Sequence, residues 1–101
     1  MAVTCTERDR CLRARLAGEL DHHGAKEVMV ELDRQIDAAL PRELILDLEG
    51  LTFTDSSGIA VLLRAWRQMG RIQGAMRVVN TPGQAEKVFR AAGLQRIIRF
   101  E

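Results

Sequence analysis

With 101 residues, 47% of them hydrophobic, the chain has the size of one ordinary domain and enough apolar material for a core. Its 15 basic and 14 acidic residues leave a formal charge of +1, which gives no electrostatic case for nucleic acid or for an anionic membrane surface. No stretch approaches the roughly 20 apolar residues of a membrane span, and the amino terminus lacks the basic and apolar regions of a secretory leader, so a cytoplasmic protein is expected.

Val3 to Glu7 and Leu12 to Leu16 read as short strands around the polar turn Arg8-Asp9-Arg10. In the second, Leu12, Ala14 and Leu16 alternate with Arg13 and Arg15, the period of a half-buried strand. A tight hairpin at Asp9-Arg10 sets Cys11 opposite Arg8 and Cys5 opposite Ala14, a poor placement for a bond between the two cysteines. Both are expected as plain thiols in a reducing compartment, and without a C-x-x-C spacing they form no zinc or redox motif. Gly18-Glu19-Leu20-Asp21 leads into a helix. There Ala25, Val28, Met29, Leu32, Ile36, Ala39 and Leu40 follow the three-and-four spacing of one buried stripe. Asp21 to His23 is its capping region and Pro41 its end. His22 and His23 are adjacent and diverge on a helix, so they do not supply converging metal ligands. No metal and no cofactor is expected.

Leu44 to Leu48 is apolar at nearly every position, as in a strand at the middle of a sheet covered on both faces. After the run Phe53-Thr54-Asp55-Ser56-Ser57-Gly58-Ile59, a helix from Ile59 to Gln73 puts Ile59, Leu62, Leu63 and Trp66 on one face, and Gly74 suits its end. The methionines and Trp66 fit core packing. Met76 to Val79 is a further strand. Thr81 as cap, Pro82 at the first helical position and Gln84 completing a capping box start a third helix. Its apolar face is Ala85, Val88, Phe89 and Ala92, and Gly93 stops it. Ile97 to Phe100 reads as a last, edge-like strand. The order β-β-α-β-α-β-α-β describes one α/β domain over residues 1–101. It has an opening β-hairpin, a mixed, mostly parallel sheet and right-handed crossovers.

The run from Phe53 to Ile59 holds most of the functional content. Two hydroxyls and a carboxylate sit where a loop feeds a helix, whose amino end has unpaired N–H groups and a partial positive charge. Serines there make good caps, and such a helix end also favours a phosphate. A capped helix alone would account for this spacing. Catalytic signatures are missing: there is no Gly-rich phosphate cradle with a following Lys and no G-x-S-x-G elbow. A serine nucleophile wants a His base and an acid nearby. His22 and His23 begin another helix, and their loop opens on the same sheet edge as Ser57 if both strands are parallel. A small esterase is therefore a contrasting reading, but a chain of this size offers little pocket, and an enzyme is not expected.

Three stretches carry a resemblance that covers almost the whole chain. They are Leu16-Ala17-Gly18-Glu19-Leu20-Asp21-His22-His23, Leu48-Glu49-Gly50-Leu51-Thr52-Phe53-Thr54-Asp55-Ser56-Ser57-Gly58-Ile59, and Gly93-Leu94 with Ile97-Ile98-Arg99-Phe100-Glu101. Together they resemble STAS-domain anti-anti-sigma factors, closest to the anti-sigma-F factor antagonists of sporulating bacteria. Asp-Ser-Ser-Gly alone is modestly specific; with Gly-Glu-Leu-Asp-His-His about 30 residues upstream in a β-α-β frame it is much more so. Members of the family usually carry a further carboxy-terminal helix beyond the position of Glu101.

The resemblance implies a STAS-like fold and a partner-switching function. Such proteins bind an anti-sigma factor that is itself a serine kinase, and so release the sigma factor for transcription. The kinase phosphorylates the second serine of the loop, here Ser57; this ends the interaction, and a serine phosphatase restores it. Ser57 is thus the implied phosphorylation site, with Asp21, His22, Asp55, Ser56, Gly58 and Ile59 on the partner-binding surface of a monomer. At the cap of a helix, a phosphate on Ser57 is expected to meet free N–H groups, so its charge of about −1.5 to −2 would act on the docking surface without a change of fold. Gly58 is expected to matter sterically, by leaving the kinase room to reach the hydroxyl. Two other family roles stay open: a non-phosphorylated STAS subunit of a transporter or lipid-transport assembly, which the intact Ser56-Ser57-Gly58 argues against, and a stress-response antagonist with a different sigma factor and kinase.

Overall fold

A computed structural model covers residues 1–101 and opens with the expected hairpin. Strand β1 (Ala2–Arg8) runs antiparallel to β2 (Cys11–Leu20), with Cys5 opposite Ala14 and Cys11 opposite Arg8. Asp9 and Arg10 both take left-handed backbone, φ 52° and 63°, the twist that a two-residue turn between paired strands requires. Both cysteines are free. Burial pushes each thiol pKa up, and Cys11 is raised further by its contact with Glu43, so neither is a reactive thiolate.

Helix α1 (His22–Ala39) then leads to β3 (Glu43–Thr54), α2 (Ser57–Arg71), β4 (Ala75–Val79), α3 (Gly83–Ala91), a short 3-10 turn at Leu94–Arg96 and β5 (Arg99–Phe100). The sheet order is β1-β2-β3-β4-β5, and every pair after the first is parallel. Right-handed crossovers that step steadily in one direction put all three helices on the same face. There Leu12, Ala14, Leu16, Leu44, Leu46, Leu48, Met76 and Val78 meet the helices in one continuous core.

This corrects the expectation of a sheet covered on both faces. The alternate residues of β2, β3 and β4 point to the other side, where no helix lies. They cover it with ion pairs: Arg13 with Asp47 at 2.7 Å, Arg15 with Glu49 at 3.7 Å, and Arg77 with Glu43 at 3.3 Å and Glu101 at 3.2 Å. Asp47 is only 6% exposed. Burial alone would raise its pKa. Hydrogen bonds from Asn80 (3.0 Å), Arg13 (2.7 Å) and the Glu49 N–H (3.1 Å) outweigh that and hold the carboxyl below the usual range.

β3 runs six residues past the apolar segment legible in the sequence. Against β2 its register shifts twice: Arg15 pairs with Asp47 but Ala17 with Gly50, and Gly18 pairs with Leu51 but Glu19 with Phe53. Each shift inserts one extra residue into β3. The inward positions therefore run Leu44, Leu46, Leu48, Leu51, Thr54, all buried, although the sequence breaks its period of two after Leu48. Gly50 permits the first shift, because a Cβ there would lie 2.9 Å from the Ala17 Cβ and 3.2 Å from the Leu16 carbonyl oxygen.

The helix stripes differ in part from expectation. On α2 the buried residues are Gly58, Val61, Leu62, Ala65 and Met69, while Trp66 is 38% exposed. Leu40 is 52% exposed; it stands past the end of α1 with left-handed backbone, φ 44°. Ala92 also faces solvent. Gln73, not Gly74, takes the left-handed position after α2, and the Gly74 N–H closes the helix on the Met69 carbonyl at 2.8 Å. No capping box forms at α3: its first turn has no side-chain cap bond, and the Thr81 hydroxyl is buried without a partner. The last strand shrinks to Arg99–Phe100, because the segment before it winds into the 3-10 turn that buries Leu94 and Ile98 and leaves Ile97 outside.

Leu46→Ala is expected to cost about 2–5 kcal/mol of unfolding free energy, while Leu40→Ala stays within about 0.5 kcal/mol of wild type; denaturant titration separates the two. For Asp47 the folded-state pKa lies below the unfolded one, so its stabilisation is present above about pH 4 and is lost as pH falls through the folded value. Asp47→Asn should therefore flatten the acid limb of the melting temperature against pH.

Candidate functional site

Because β2 and β3 are parallel, their carboxyl ends share one edge of the sheet, with Leu20 paired to Thr54. The edge is cross-tied around the Leu20 carbonyl, which accepts from the Thr54 hydroxyl at 3.2 Å and from the Asp55 N–H at 3.4 Å. Each strand then delivers an aspartate to a helix start. Asp21 caps α1, its Oδ1 accepting from the Gly24 N–H at 2.8 Å. That bond is the main reason its pKa is lowered. His22 follows as the first residue of α1, exposed, its ring 6.0 Å from that of His23 in an edge-on arrangement.

At the start of α2 the capping side chain is Asp55, which corrects the expectation that the serines cap the helix. Its Oδ1 accepts from the Ser57 N–H at 2.7 Å. The Asp55 and Ser56 carbonyls take the Gly58 and Ile59 N–H groups, both at 3.1 Å. Ser56 already has helical backbone and makes no side-chain cap bond. A carboxylate is a stronger acceptor than a hydroxyl at the positive end of a helix, and placing it before both serines leaves their hydroxyls outside the cap. Ser56 is exposed and Ser57 half-buried.

Two further expectations change with this geometry. The N–H groups of Ser57, Gly58 and Ile59 are engaged, so a phosphate on Ser57 would meet the Asp55 carboxylate at the helix end, not free donors. Gly58 faces inward: a Cβ there would lie 2.1 Å from the Thr54 Oγ1, 3.2 Å from the Leu20 Cδ2 and 3.3 Å from the Phe89 Cε1. Its role is close packing beneath the turn, not clearance above it. Ile59 is half-buried at the margin of the core. The fold thus brings Asp21, His22, Asp55, Ser56 and Ser57 to one edge, with Gly58 and Ile59 below them. Ser57 has neither imidazole as a hydrogen-bond partner; the side chain it contacts in this way is that of Asp55, through its N–H.

One residue at this edge escaped the sequence reading. The Gln84 side-chain amide brackets Thr54, accepting from its N–H at 3.0 Å and donating to its carbonyl at 2.8 Å. The spacing Thr81-Pro82-Gly83-Gln84 suggested a local box, and nothing local signals a partner thirty residues upstream.

The STAS domain profile matches residues 2–101. The chain belongs to the STAS domain family. An anti-sigma F factor antagonist of Lysinibacillus sphaericus is 35% identical to this STAS domain over 80 residues, which is 79% of this chain and 68% of the relative. The anti-sigma factor antagonist SpoIIAA in its unphosphorylated form superposes with a TM-score of 0.84 at 28% identity, across 99% of this chain and 88% of that one. Bacillus SpoIIAA in its phosphorylated form gives 0.76, also at 28% identity, across 99% and 91%. The five-stranded mixed sheet with three helices is the STAS fold that these antagonists have.

The packing under the turn yields a direct check. Gly58→Ala should cost about 1–3 kcal/mol through overpacking against Thr54, and should do so in the isolated protein, with no partner present. A melting curve unchanged from wild type would place Gly58 on the outside after all.

Proposed function

We propose that this STAS domain is a cytoplasmic anti-sigma factor antagonist. It binds an anti-sigma factor serine kinase, frees the sigma factor, and is switched off when the kinase phosphorylates Ser57. A serine phosphatase resets it. The observation that carries this reading is the Asp55-held turn, which leaves the Ser57 hydroxyl outside the cap on a braced sheet edge beside Asp21. The names of its relatives and the existence of a phosphorylated form of Bacillus SpoIIAA support it. No helix of this chain is long and apolar enough to cross a membrane.

The switch works by charge. Asp21 and Asp55 already make the edge acidic, and phosphate adds about −1.5 to −2 within the reach of both. A kinase surface that also holds ATP phosphates repels the product more than the substrate. Because the helix end is already capped by Asp55, phosphate gains little from the fold itself, and its effect falls on Asp55 and on the docked partner. His22 and Ser56 flank the same surface and contribute contact area, with Ile59 at its half-buried margin. Asp21 both caps α1 and contacts the kinase.

Incubation with the anti-sigma factor of its own genome and ATP, followed by intact mass measurement and peptide mapping, tests the assignment. One phosphate on Ser57 is expected; phosphate on Ser56 alone would overturn it. Ser57→Ala should melt within about 0.5 kcal/mol of wild type, since the N–H and not the hydroxyl is engaged, and should bind the kinase without being released by ATP. Ser57→Asp should bind more weakly than wild type but more tightly than the phosphorylated form, having one charge and fewer acceptor oxygens. Asn caps a helix as well as Asp does, so Asp21→Asn should keep its melting temperature and lose roughly 1–3 kcal/mol of binding by titration calorimetry. Unchanged affinity would leave Asp21 only its cap.

A further inference from the structure

We infer that Gln84 is a positioning residue for the Ser57 turn, acting as a side-chain splint that stands in for a missing strand. β4 pairs with β3 only as far as Asp47, opposite Val79. β3 continues to Thr54, so its last residues have β2 on one side and no strand on the other. An unpaired backbone edge breathes readily, and this one ends directly at Asp55. Gln84 meets that need. Its amide accepts from the Thr54 N–H at 3.0 Å and donates to the Thr54 carbonyl at 2.8 Å, the same pair of bonds that a neighbouring strand would supply. An amide is the side chain suited to this, because it carries an acceptor and a donor on one rigid plane.

The splint has a firm base. Gln84 stands in the first turn of α3, and the next residue, Ala85, is buried, as is Phe89 one turn on. Phe89 also reaches under the Ser57 turn, its Cε1 lying 3.3 Å from where a Gly58 Cβ would stand. Helix α3 therefore holds the turn at two points, below through Phe89 and at its entrance through Gln84. On the other side the Thr54 hydroxyl and the Asp55 N–H bond to Leu20. Thr54 is thus tied on both flanks, and the Asp55 carboxylate that orients Ser57 follows it with no intervening residue. The consequence is that α3, which supplies none of Asp21, His22, Asp55, Ser56 and Ser57, sets how well ordered their turn is. This rests on the Ser57 reading only for its effect on the kinase. The ordering itself is a property of the free protein.

Gln84→Met separates the two. It keeps the length and helix preference of the side chain at an exposed position and removes both polar atoms. In the isolated protein, amide hydrogen exchange by NMR should speed up at Thr54 and in the turn through Gly58 by about tenfold or more, while Leu44–Leu48 and Met76–Val79 keep wild-type rates. With the anti-sigma factor of its own genome and ATP, the variant should show a KM for phosphoryl transfer raised about three- to tenfold with kcat little changed, since fewer molecules present an ordered turn. Wild-type exchange at Thr54, or equal acceleration throughout the sheet, would overturn the splint. Local acceleration at Thr54 with wild-type KM would overturn its part in presenting Ser57. A wild-type protein that accepts no phosphate would refute the Ser57 reading instead, and the exchange pattern would then decide the splint alone.

Discussion

The parallel pairing of β2 with β3 is the constraint on which the rest of the structure depends. It is the longest strand pairing in the sheet, and it brings two chain segments more than thirty residues apart to one edge, where Leu20 meets Thr54. The pairing holds its core face only because β3 carries two extra residues. Without those register shifts Leu51 would turn to the charged side, and unbroken alternation would put Gly50 and Thr52 toward the core in its place. The turn that bears Ser57 stands where it does because a strand of irregular register is kept inward-facing to its last residue.

The helix starts at that edge use one device twice. An aspartate in the residue or two before the helix takes an N–H of the first turn with its carboxylate, that of Gly24 at 2.8 Å for Asp21 and that of Ser57 at 2.7 Å for Asp55. The arrangement fixes the direction of each helix and leaves the neighbouring polar side chains outside the hydrogen-bond ladder. A hydroxyl that is not needed as a cap keeps its donor and acceptor capacity for other groups. The two serines differ in turn: Ser56 stands free, while Ser57 is half-buried, with its N–H held and its position fixed.

The element order, the hairpin with its cysteine placement and the helix-start role of Asp21 could be read from the sequence, because each rests on a local pattern: a period, a turn or a cap. The loop itself was legible through its resemblance to a family. The rest is decided by distant parts of the chain and has no local signal. Nothing near Leu48 announces that two inserted residues will carry β3 on to Thr54. Trp66 has helical spacing with the core residues, yet lies at the edge of the stripe because small Ala65 and flexible Met69 already fill the space against the sheet. Gln84 sits in a good local capping pattern, but the unpaired Thr54 peptide competes for its amide and wins. Gly58 looked like clearance for a partner, and only the positions of Thr54, Leu20 and Phe89 show that its bare Cα faces inward.

The open face of the sheet carries its charges in close pairs. Its arginines and carboxylates alternate at spacings of 2.7 to 3.7 Å, far shorter than the screening length of about 8 Å at physiological ionic strength. From farther off such a mosaic nearly cancels, so this face neither draws charged molecules in nor drives them away. It is a nearly neutral wall that offers a neighbouring protein little net field, with Phe53 as its exposed apolar side chain at the Ser57 end. A molecule built this way is anisotropic: one broad side is electrically quiet at a distance, whereas the edge that bears Asp21 and Asp55 has no basic side chain paired to them.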